Sequence, residues 1–218
     1  MTSPAIFEND PETGELRLAA DWQKIYGEVD PWSQSALDKG AMAAYYEFSR
    51  ENLVQTILRH GYAGMEGLEV GCGLGFLTAM LNEKVGPTLG IDISPIATMR
   101  ARQLHPTLRF RPGDVTSDDF VPHRAKYVVL GQAWWYVLHD LDNTLANIGA
   151  CLTPNGGDLF ITQAFLRSGQ KYMPHIRGFT GALDTLLAHP KWTVTEAQFH
   201  DRGLVHHDSV IVLRKNPA

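Results

Sequence analysis

The chain has 218 residues, of which 44% are hydrophobic and 20% are charged, and its formal net charge is −5 at pH 7. This composition is typical of a globular protein with one sizeable core. The lack of a long basic run argues against a nucleic-acid partner. No apolar run reaches the roughly 18 residues that a membrane span requires. Two distant cysteines, Cys72 and Cys151, form no disulfide framework, and the N-terminus lacks the apolar segment of a signal peptide, so we expect a cytoplasmic protein without a membrane partner.

The first sixty residues predict a polar tail followed by a helical cap. Residues 1–15 are polar, whereas in residues 44–58 apolar and aromatic side chains recur at an approximately helical spacing. Gly61 ends that pattern. We therefore expect a single domain overall, with an N-terminal tail and helical cap in residues 1–60 and a ligand-binding part in residues 61–218.

From Gly67 onward, strand patterns alternate with helix patterns. The predicted order is strand 67–72, helix 76–84, strand 88–93, helix 94–104, strand 108–114, strand 126–134, helix 141–152, strand 158–165, helix 179–190 and a hairpin of strands 192–201 and 208–214. Ser94 is a candidate N-cap, and Pro95 sits in the first turn after it. The alternation predicts a doubly wound, mostly parallel α/β sheet with an antiparallel terminal strand. In such sheets the ligand lies beyond the carboxyl ends of the strands.

A glycine-rich loop, LEVGCGLGFLT, follows the first of these strands and contains Gly71, Gly73 and Gly75. Dinucleotides, phosphates and S-adenosyl groups are all bound by loops of this kind. The dinucleotide fingerprint places its third glycine where this chain has Phe76, and the Gly-Lys-Ser/Thr ending of a P-loop is missing. The spacing therefore argues against a nucleoside triphosphate and disfavours a dinucleotide.

Acidic residues accompany the ends of three consecutive predicted strands: Glu69, Asp92 and Asp114. An ionised carboxylate accepts hydrogen bonds, which suits Asp92 for two ribose hydroxyls and Asp114 for the exocyclic amine of adenine. Glu69 would repel a pyrophosphate but suits a ligand with an amino group and a sulfonium. The three acids together favour S-adenosylmethionine. Asp92 alone would also suit a dinucleotide, and the alternative for Asp92 or Asp114 taken singly is a cap on the helix or turn that follows.

Residues 67–165 resemble the class I S-adenosylmethionine-dependent methyltransferases in the motifs LEVGCGLG, GIDIS, GDV and LTPNGGDLFI. The resemblance implies a Rossmann-like methyltransferase fold with S-adenosyl-L-methionine as cofactor. It also implies binding of the methionine end by Glu69, Gly71, Cys72, Gly73 and Gly75, of the ribose by Asp92, and of the adenine by Asp114, Ile93 and Val115.

Two N-terminal segments, DPW at residues 30–32 and YEFSR at residues 46–50, resemble nodulation protein S and related small methyltransferases. Those enzymes N-methylate an amino sugar unit, so the resemblance implies a small-molecule acceptor and favours nitrogen over oxygen. The chain departs from the family pattern at Lys126, where Asp is usual before the fourth strand. Two alternatives stay open: methylation of a hydroxyl or carboxyl oxygen, and cofactor binding without catalysis.

The segment after the fourth strand holds the candidate acceptor site. Gln132 is a candidate for the cofactor site, and Trp134, Trp135 and Tyr136 predict an aromatic wall that suits a cation or a sugar-like ligand. The candidate catalytic residues are His139 and Tyr136. An imidazole near neutral pH accepts the proton of a hydroxyl acceptor, whereas an amine needs only to be neutral when it attacks. The simpler alternative to the aromatic wall is that a tryptophan belongs to the core. The simpler alternative to a catalytic His139 is that its side chain faces solvent.

Further candidates for substrate contact lie outside that segment. Trp32 belongs to a region that we expect to fold over the cofactor as a lid. Arg50 either binds the methionine carboxylate or pairs with Glu47 on one helical face. The polar stretch after the fifth strand predicts a substrate loop with Tyr172 and His175.

We expect no metal site and a monomer or homodimer. The adjacent His206 and His207 would point to opposite faces of a strand and so could not chelate one ion together.

Overall fold

The computed structural model describes residues 7–12, 16–28, 30–32, 34, 43–154, 156–166, 178–204 and 206–217. Its elements in chain order are β1 (Phe7–Asn9), β2 (Leu16–Leu18), α1 (Trp22–Ile25), α2 (Ala43–Arg59), β3 (Gly67–Val70), α3 (Phe76–Lys84), β4 (Thr88–Asp92), α4 (Pro95–Leu104), β5 (Arg109–Pro112), β6 (Tyr127–Gly131), α5 (Trp134–Val137), a 3-10 turn (Leu138–Asp140), α6 (Leu141–Cys151), β7 (Asp158–Leu166), α7 (Gly178–Leu187), β8 (Trp192–His200) and β9 (His206–Lys215).

The main sheet has seven strands in the order β5-β4-β3-β6-β7-β9-β8. The strands from β5 to β7 are parallel, as predicted. The predicted terminal hairpin of β8 and β9 is also present, but β9 lies between β7 and β8 and runs antiparallel to both. The fold is therefore the expected doubly wound sheet with an antiparallel end.

The chain reverses its direction of travel across the sheet between β3 and β6. From β3 it moves outward through β4 and β5, then returns to pair β6 with the other side of β3. A crevice forms at such a switch point, beyond the carboxyl ends of the strands, and is the usual ligand site of open α/β sheets. The glycine-rich loop follows β3 and so lies at this crevice.

Helix α2 packs directly on one face of the sheet. Its buried side chains Leu53, Val54 and Ile57 share a core with Tyr127 and Phe160 of the sheet. The helix predicted in residues 44–58 matches α2, and Gly61 just beyond it adopts a φ of +85°. The division of the chain at residue 60 into cap and ligand-binding part stays a prediction.

The opposite face of the sheet is covered by the helices that follow β6 and β7. Leu145 and Ile148 of α6 and Leu186 of α7 are buried against strand residues such as Val128 and Leu159. Within the described residues, no helix is long and apolar enough to cross a membrane.

Candidate functional site

The glycine-rich loop requires its glycines for steric reasons. Gly71, Gly73 and Gly75 have φ angles of +76°, +52° and +82°, a region that residues with a side chain rarely adopt. A Cβ atom on Gly71 would lie 2.8 Å from the Cβ of Ala133. The amides of Gly71 and Cys72 donate to the carbonyl of Ile91, which draws the loop over the end of β4.

Asp92 ties this loop to the next strand. Its side chain is buried and accepts hydrogen bonds from the amides of Gly73, at 2.8 Å, and Ser94, at 2.9 Å. Burial raises the pKa of Asp92 to about 6, while these two amides oppose that shift. A carboxylate offers about four acceptor positions, so Asp92 retains capacity for a ligand's hydroxyl groups.

Glu69 lies at the floor of the same crevice and is almost fully buried. The hydroxyl of Thr78 donates to its carboxylate. Burial raises the pKa of Glu69 to about 8, and the Thr78 hydrogen bond and the charge of Arg50 oppose the shift. A cationic ligand group beside Glu69 would lower that pKa and favour the ionised carboxylate.

Arg50 reaches the crevice from α2. Its guanidinium donates to the side chain of Gln34, at 3.1 Å, and lies 5.3 Å from the centroid of the Tyr46 ring. Burial lowers the pKa of Arg50, and Glu69 is the largest influence that opposes this. Glu47, the alternative partner, is exposed, whereas Arg50 lines the crevice. The site thus holds one cation and one acid near each other, a pairing suited to an amino-acid zwitterion.

The crevice opens into a cavity of about 1220 Å³, including the part open to solvent. All predicted cofactor residues except Gly75 line it: Glu69, Gly71, Cys72, Gly73, Asp92, Ile93, Asp114, Val115 and Gln132. Gly75 is not among the residues that line the cavity, and its contact with the cofactor stays a prediction. Gly75 caps α3, and a Cβ atom there would lie 2.6 Å from the Phe110 ring, so this glycine serves packing behind the loop.

An aromatic box, formed by Trp22, Tyr26, Trp32 and Tyr136, lines one wall of the cavity. The Trp22 and Tyr136 rings meet edge to face with centroids 5.2 Å apart, and the Trp32 and Tyr136 centroids are 6.2 Å apart. Tyr26 is buried against Leu74 of the glycine-rich loop. The box therefore joins the N-terminal segment to the segment after β6.

The predicted tryptophan wall has to be corrected. Trp134 is buried in the core, and Trp135 packs edge to face on Phe165, at 5.0 Å between centroids; neither lines the cavity. Successive residues of a helix point about 100° apart, so within α5 only part of the aromatic run can face the ligand, and Tyr136 does so. His139 lies exposed at the cavity rim. Tyr172 and His175 lie outside the described residues.

Several cavity residues escaped the sequence analysis: Trp22, Gln34, Tyr26, Tyr46, Ser49 and Thr162. The sequence did contain a signal for Tyr46. It lies four residues before Arg50, a candidate already, and so shares one helical face with it. Trp22 and Tyr26 have the same spacing across the end of α1, within a segment otherwise too polar to suggest a helix facing a ligand.

His206 and His207 point to opposite faces of β9, as the strand period predicts. The His206 ring lies 5.7 Å from the Tyr45 ring, and the His207 ring lies 4.7 Å from the Phe199 ring. In the part of the chain that the structure describes, no group of three or more His, Cys, Asp or Glu side chains is placed to hold a metal ion.

Several solved structures with this architecture are named methyltransferases. A family model described as a methyltransferase domain matches residues 68–156. The N-methyltransferase NodS from Bradyrhizobium japonicum WM9, in complex with S-adenosyl-L-homocysteine, is similar in structure with a TM-score of 0.69 and 19% identity, over 89% of this chain and 96% of that chain. A 1,6-didemethyltoxoflavin-N1-methyltransferase from Burkholderia thailandensis has a TM-score of 0.57 and 20% identity, over 80% of this chain and 81% of that chain.

A third similar structure is a TehB-like SAM-dependent methyltransferase from Corynebacterium glutamicum ATCC 13032 Kitasato, with a TM-score of 0.58 and 21% identity, over 81% of this chain and 99% of that chain. At such identities the likeness shows the fold. No curated protein matches the chain in sequence.

The sheet order, the glycine-rich loop after β3 and the acids around the cavity define the class I methyltransferase fold. Residues 68–156 thus match a methyltransferase domain, and the chain has the fold of solved methyltransferases, as the resemblance found in the sequence implied.

Proposed function

We propose that the protein transfers a methyl group to an amine nitrogen of a small molecule. The observation that carries this proposal is the aromatic box beside the acidic crevice. Ring faces attract cations, and an amine is a cation before it loses its proton. Two of the similar structures are named N-methyltransferases, which supports nitrogen as the acceptor.

The charged residues of the crevice fit the cofactor by their chemistry. Arg50 would bind the methionine carboxylate, and Glu69 would bind the ammonium group. Asp92 would accept from the ribose hydroxyls. Asp114, which already accepts from the amide and hydroxyl of Thr116, would accept from the adenine amine with its remaining capacity. S-adenosylmethionine supplies the methyl group from its sulfonium.

The chain's contribution to the reaction is then mainly alignment and exclusion of water. The aromatic box covers the cavity from the N-terminal side and restricts the orientation of the acceptor. Correct alignment of two reactants accounts for ~7–11 kcal/mol of barrier reduction in well-oriented reactions. An amine acceptor requires only that its nitrogen be neutral when it attacks.

His139 favours a second candidate, methylation of a hydroxyl oxygen. Its imidazole stands at the cavity rim, where it would accept the proton of an alcohol. Replacement of His139 by Ala separates the two reactions, because it should lower transfer to oxygen by roughly 100-fold or more and leave transfer to nitrogen nearly intact.

The test is transfer of a radiolabelled methyl group from S-adenosylmethionine to a panel of amines, alcohols and carboxylic acids, with products identified by mass spectrometry. Binding of S-adenosylhomocysteine, measured by calorimetry, is recorded for every variant. We expect labelled amines. Binding without transfer to any acceptor would support a non-catalytic role, and label only in oxygen products would overturn the nitrogen assignment.

The aromatic box gives a matched pair of variants for the same assay. Trp22→Leu should raise KM for the amine by roughly 5- to 30-fold, since one cation–ring contact contributes about 1–2 kcal/mol. Phe199→Leu changes an exposed aromatic residue of β8 outside the cavity and should leave KM unchanged. Equal KM values in the two variants would remove the box from acceptor binding.

A further inference from the structure

The loop that follows β5 presents Asp114 to the cavity, which Val115 and Thr116 of the same loop also line. Among the described residues, the Oδ1 atom of Asp114 takes both hydrogen bonds to the carboxylate. They come from the amide of Thr116 at 2.9 Å and from its hydroxyl at 2.7 Å. The amide of Ser117 donates to the backbone carbonyl of Asp114 at 3.2 Å. The conformation of the two peptides after Val115 therefore decides where Oδ2, the second carboxylate oxygen, points.

Two asparagines of α6 hold the carbonyl groups of this loop. Asn147 donates to the carbonyl oxygens of Val115 and Ser117, at 2.9 Å each. Asn143 donates to the carbonyl oxygen of Thr116 at 2.7 Å. The two asparagines are four residues apart and so lie on one face of the helix. Neither lines the cavity, so any influence that they have on a ligand passes through the loop.

Helix α6 is a firm support for these donors, because its adjacent face is part of the core. Leu145 and Ile148, which are interspersed with the two asparagines along the helix, are buried against the sheet. A site that is supported from a packed helix is held more precisely than one that depends on a loop alone.

The peptide groups of the loop connect the asparagines to Asp114. A trans peptide is planar, so its C=O and its N–H point in opposite directions. Asn147 binds the C=O of the peptide that follows Val115, and the N–H of that same peptide donates to Oδ1 of Asp114. Asn143 binds the C=O of the next peptide, whose N–H donates to the backbone carbonyl of Asp114. Each asparagine therefore fixes the plane of a peptide group that binds Asp114.

The orientation of Asp114 matters because a hydrogen bond weakens steeply as its angle departs from linearity. A donor on the carbonyl of a peptide also polarises the N–H of that peptide and strengthens the bond that it makes. Both effects favour a single direction of the Asp114 carboxylate over the several that an unsupported surface loop would allow.

We propose that Asn143 and Asn147 are positioning residues, which aim the Asp114 carboxylate at the exocyclic amine of adenine. On this view α6, which does not touch the cofactor, sets the base specificity of the cofactor site. The inference rests on the proposed binding of adenine by Asp114. It does not depend on which molecule accepts the methyl group.

The test compares two ligands by calorimetry: S-adenosylhomocysteine and its purine analogue, which lacks only the exocyclic amino group. The wild type should prefer S-adenosylhomocysteine by roughly 10- to 100-fold, the usual effect of a hydrogen bond to a charged group. Asn147→Leu keeps a side chain of similar size but removes both donors. It should lower that preference by roughly 5-fold or more, because the amine and the carboxylate are then misaligned. Affinity for the purine analogue should change little.

Asn82→Leu is the matched control. Asn82 of α3 also donates from one amide to two carbonyl oxygens, those of Thr78 at 2.9 Å and Thr88 at 3.0 Å, and it does not line the cavity. This variant should lose stability, as Asn147→Leu does, and keep the wild-type preference between the two ligands.

A double variant tests whether Asn147 acts through Asp114. Asp114→Ala should abolish the preference. Asn147→Leu added to Asp114→Ala should then weaken S-adenosylhomocysteine binding no further, because the two residues belong to one chain of contacts. If the two losses of affinity instead multiplied, the inference would be overturned.

The remaining outcomes separate this inference from the proposed function. An unchanged preference in Asn147→Leu, or an equal loss of affinity for both ligands, would overturn the inference and leave the proposed methyl transfer standing. Equal binding of both ligands by the wild type would overturn the adenine assignment of Asp114 and this inference with it. Binding of neither ligand by the wild type would overturn the proposed function as well. If Asn147→Leu does not fold, Asn143→Leu takes its place, with the same expected loss of preference.

Discussion

At the scale of single residues, Asp92 has two tasks for one carboxylate. It holds the glycine-rich loop through Gly73 and the start of α4 through Ser94, and its remaining acceptor positions face the cavity. Because burial raises its pKa to about 6, protonation at mildly acidic pH turns one of its oxygens into a donor and reduces its capacity to accept hydrogen bonds.

The first prediction concerns cofactor affinity and pH. S-adenosylhomocysteine binding, measured by calorimetry, should weaken as pH falls below about 8, where Glu69 becomes neutral, and more steeply below about 6, where Asp92 does, because only the ionised Asp92 accepts from both ribose hydroxyls. Asp92→Asn should raise Kd roughly 10- to 100-fold near pH 7 and flatten this acidic dependence.

The exposed Asp184 of α7 supplies the control for that measurement. Asp184→Asn should keep both the wild-type affinity and its fall below about pH 6. If Asp92→Asn retained the same acidic fall, another group would be responsible for it, and the ribose assignment would lose its support.

The convergence of Glu69, Asp92 and Asp114 was predictable from sequence because the carboxyl ends of parallel strands meet at one edge of a sheet. The direction of each aromatic side chain after β6 was not. A shift of one residue in the start of α5 rotates the whole run by about 100°, which decides whether Trp134 or Tyr136 faces the cavity. Only the packed structure sets that start.

At the scale of secondary-structure elements, α4 begins as the sequence predicts. Ser94 accepts from the amide of Ala97 at 3.2 Å, and Pro95 occupies the first turn. Ser94→Ala should cost about 1 kcal/mol, the usual effect of losing an N-cap, and lower Tm by about 2–4 °C.

Cofactor affinity should not change in Ser94→Ala, since the backbone amide that reaches Asp92 is retained. Thr185→Ala, at an exposed position in the last turn of α7, is the comparison and should alter Tm less. An unchanged Tm in Ser94→Ala would show that the cap contributes little here.

Helix α2 was predictable as a helix, but the residues that its buried face contacts were not. Its periodicity identifies a helix, but the same periodicity cannot tell that the buried Tyr45 and Ser49 face polar strand residues instead of an apolar core. Their partners, Thr162 and Asp208, are more than a hundred residues away. Such pairings depend on which strand lies under the helix, which local patterns do not encode.

At the scale of the whole molecule, Arg214 joins distant parts of the chain. It donates to both oxygens of the fully buried Asp158 carboxylate, at 2.9 Å each, and His60, the residue after α2, approaches the same group. The arrangement connects β9, β7 and α2 far from the cavity.

Arg214→Leu should therefore lower the free energy of unfolding by roughly 1–3 kcal/mol, because it leaves a buried carboxylate with a weaker partner. Arg59→Leu breaks an exposed ion pair with Glu196 and should cost less than about 1 kcal/mol. Chemical denaturation measures both. Equal costs would mean that burial of Asp158 does not govern the stability of this junction.

The strand order was the part of the whole fold that the sequence left undetermined. The hairpin of β8 and β9 was predictable from two adjacent strand patterns, but either strand could have paired with β7. The structure places β9 there, with Asp208 level with Ala164.

That order has a consequence for synthesis of the protein. β9 is translated after β7 and β8, yet both need it as a partner. At roughly 5–20 residues per second, the stretch from Leu166 to Lys215 takes several seconds to emerge, and during that time one edge of β7 has unpaired backbone groups of the kind that promote aggregation. The glycine-rich loop is thus synthesised early, whereas the sheet beside it is completed only when β9, the last strand, pairs with both β7 and β8.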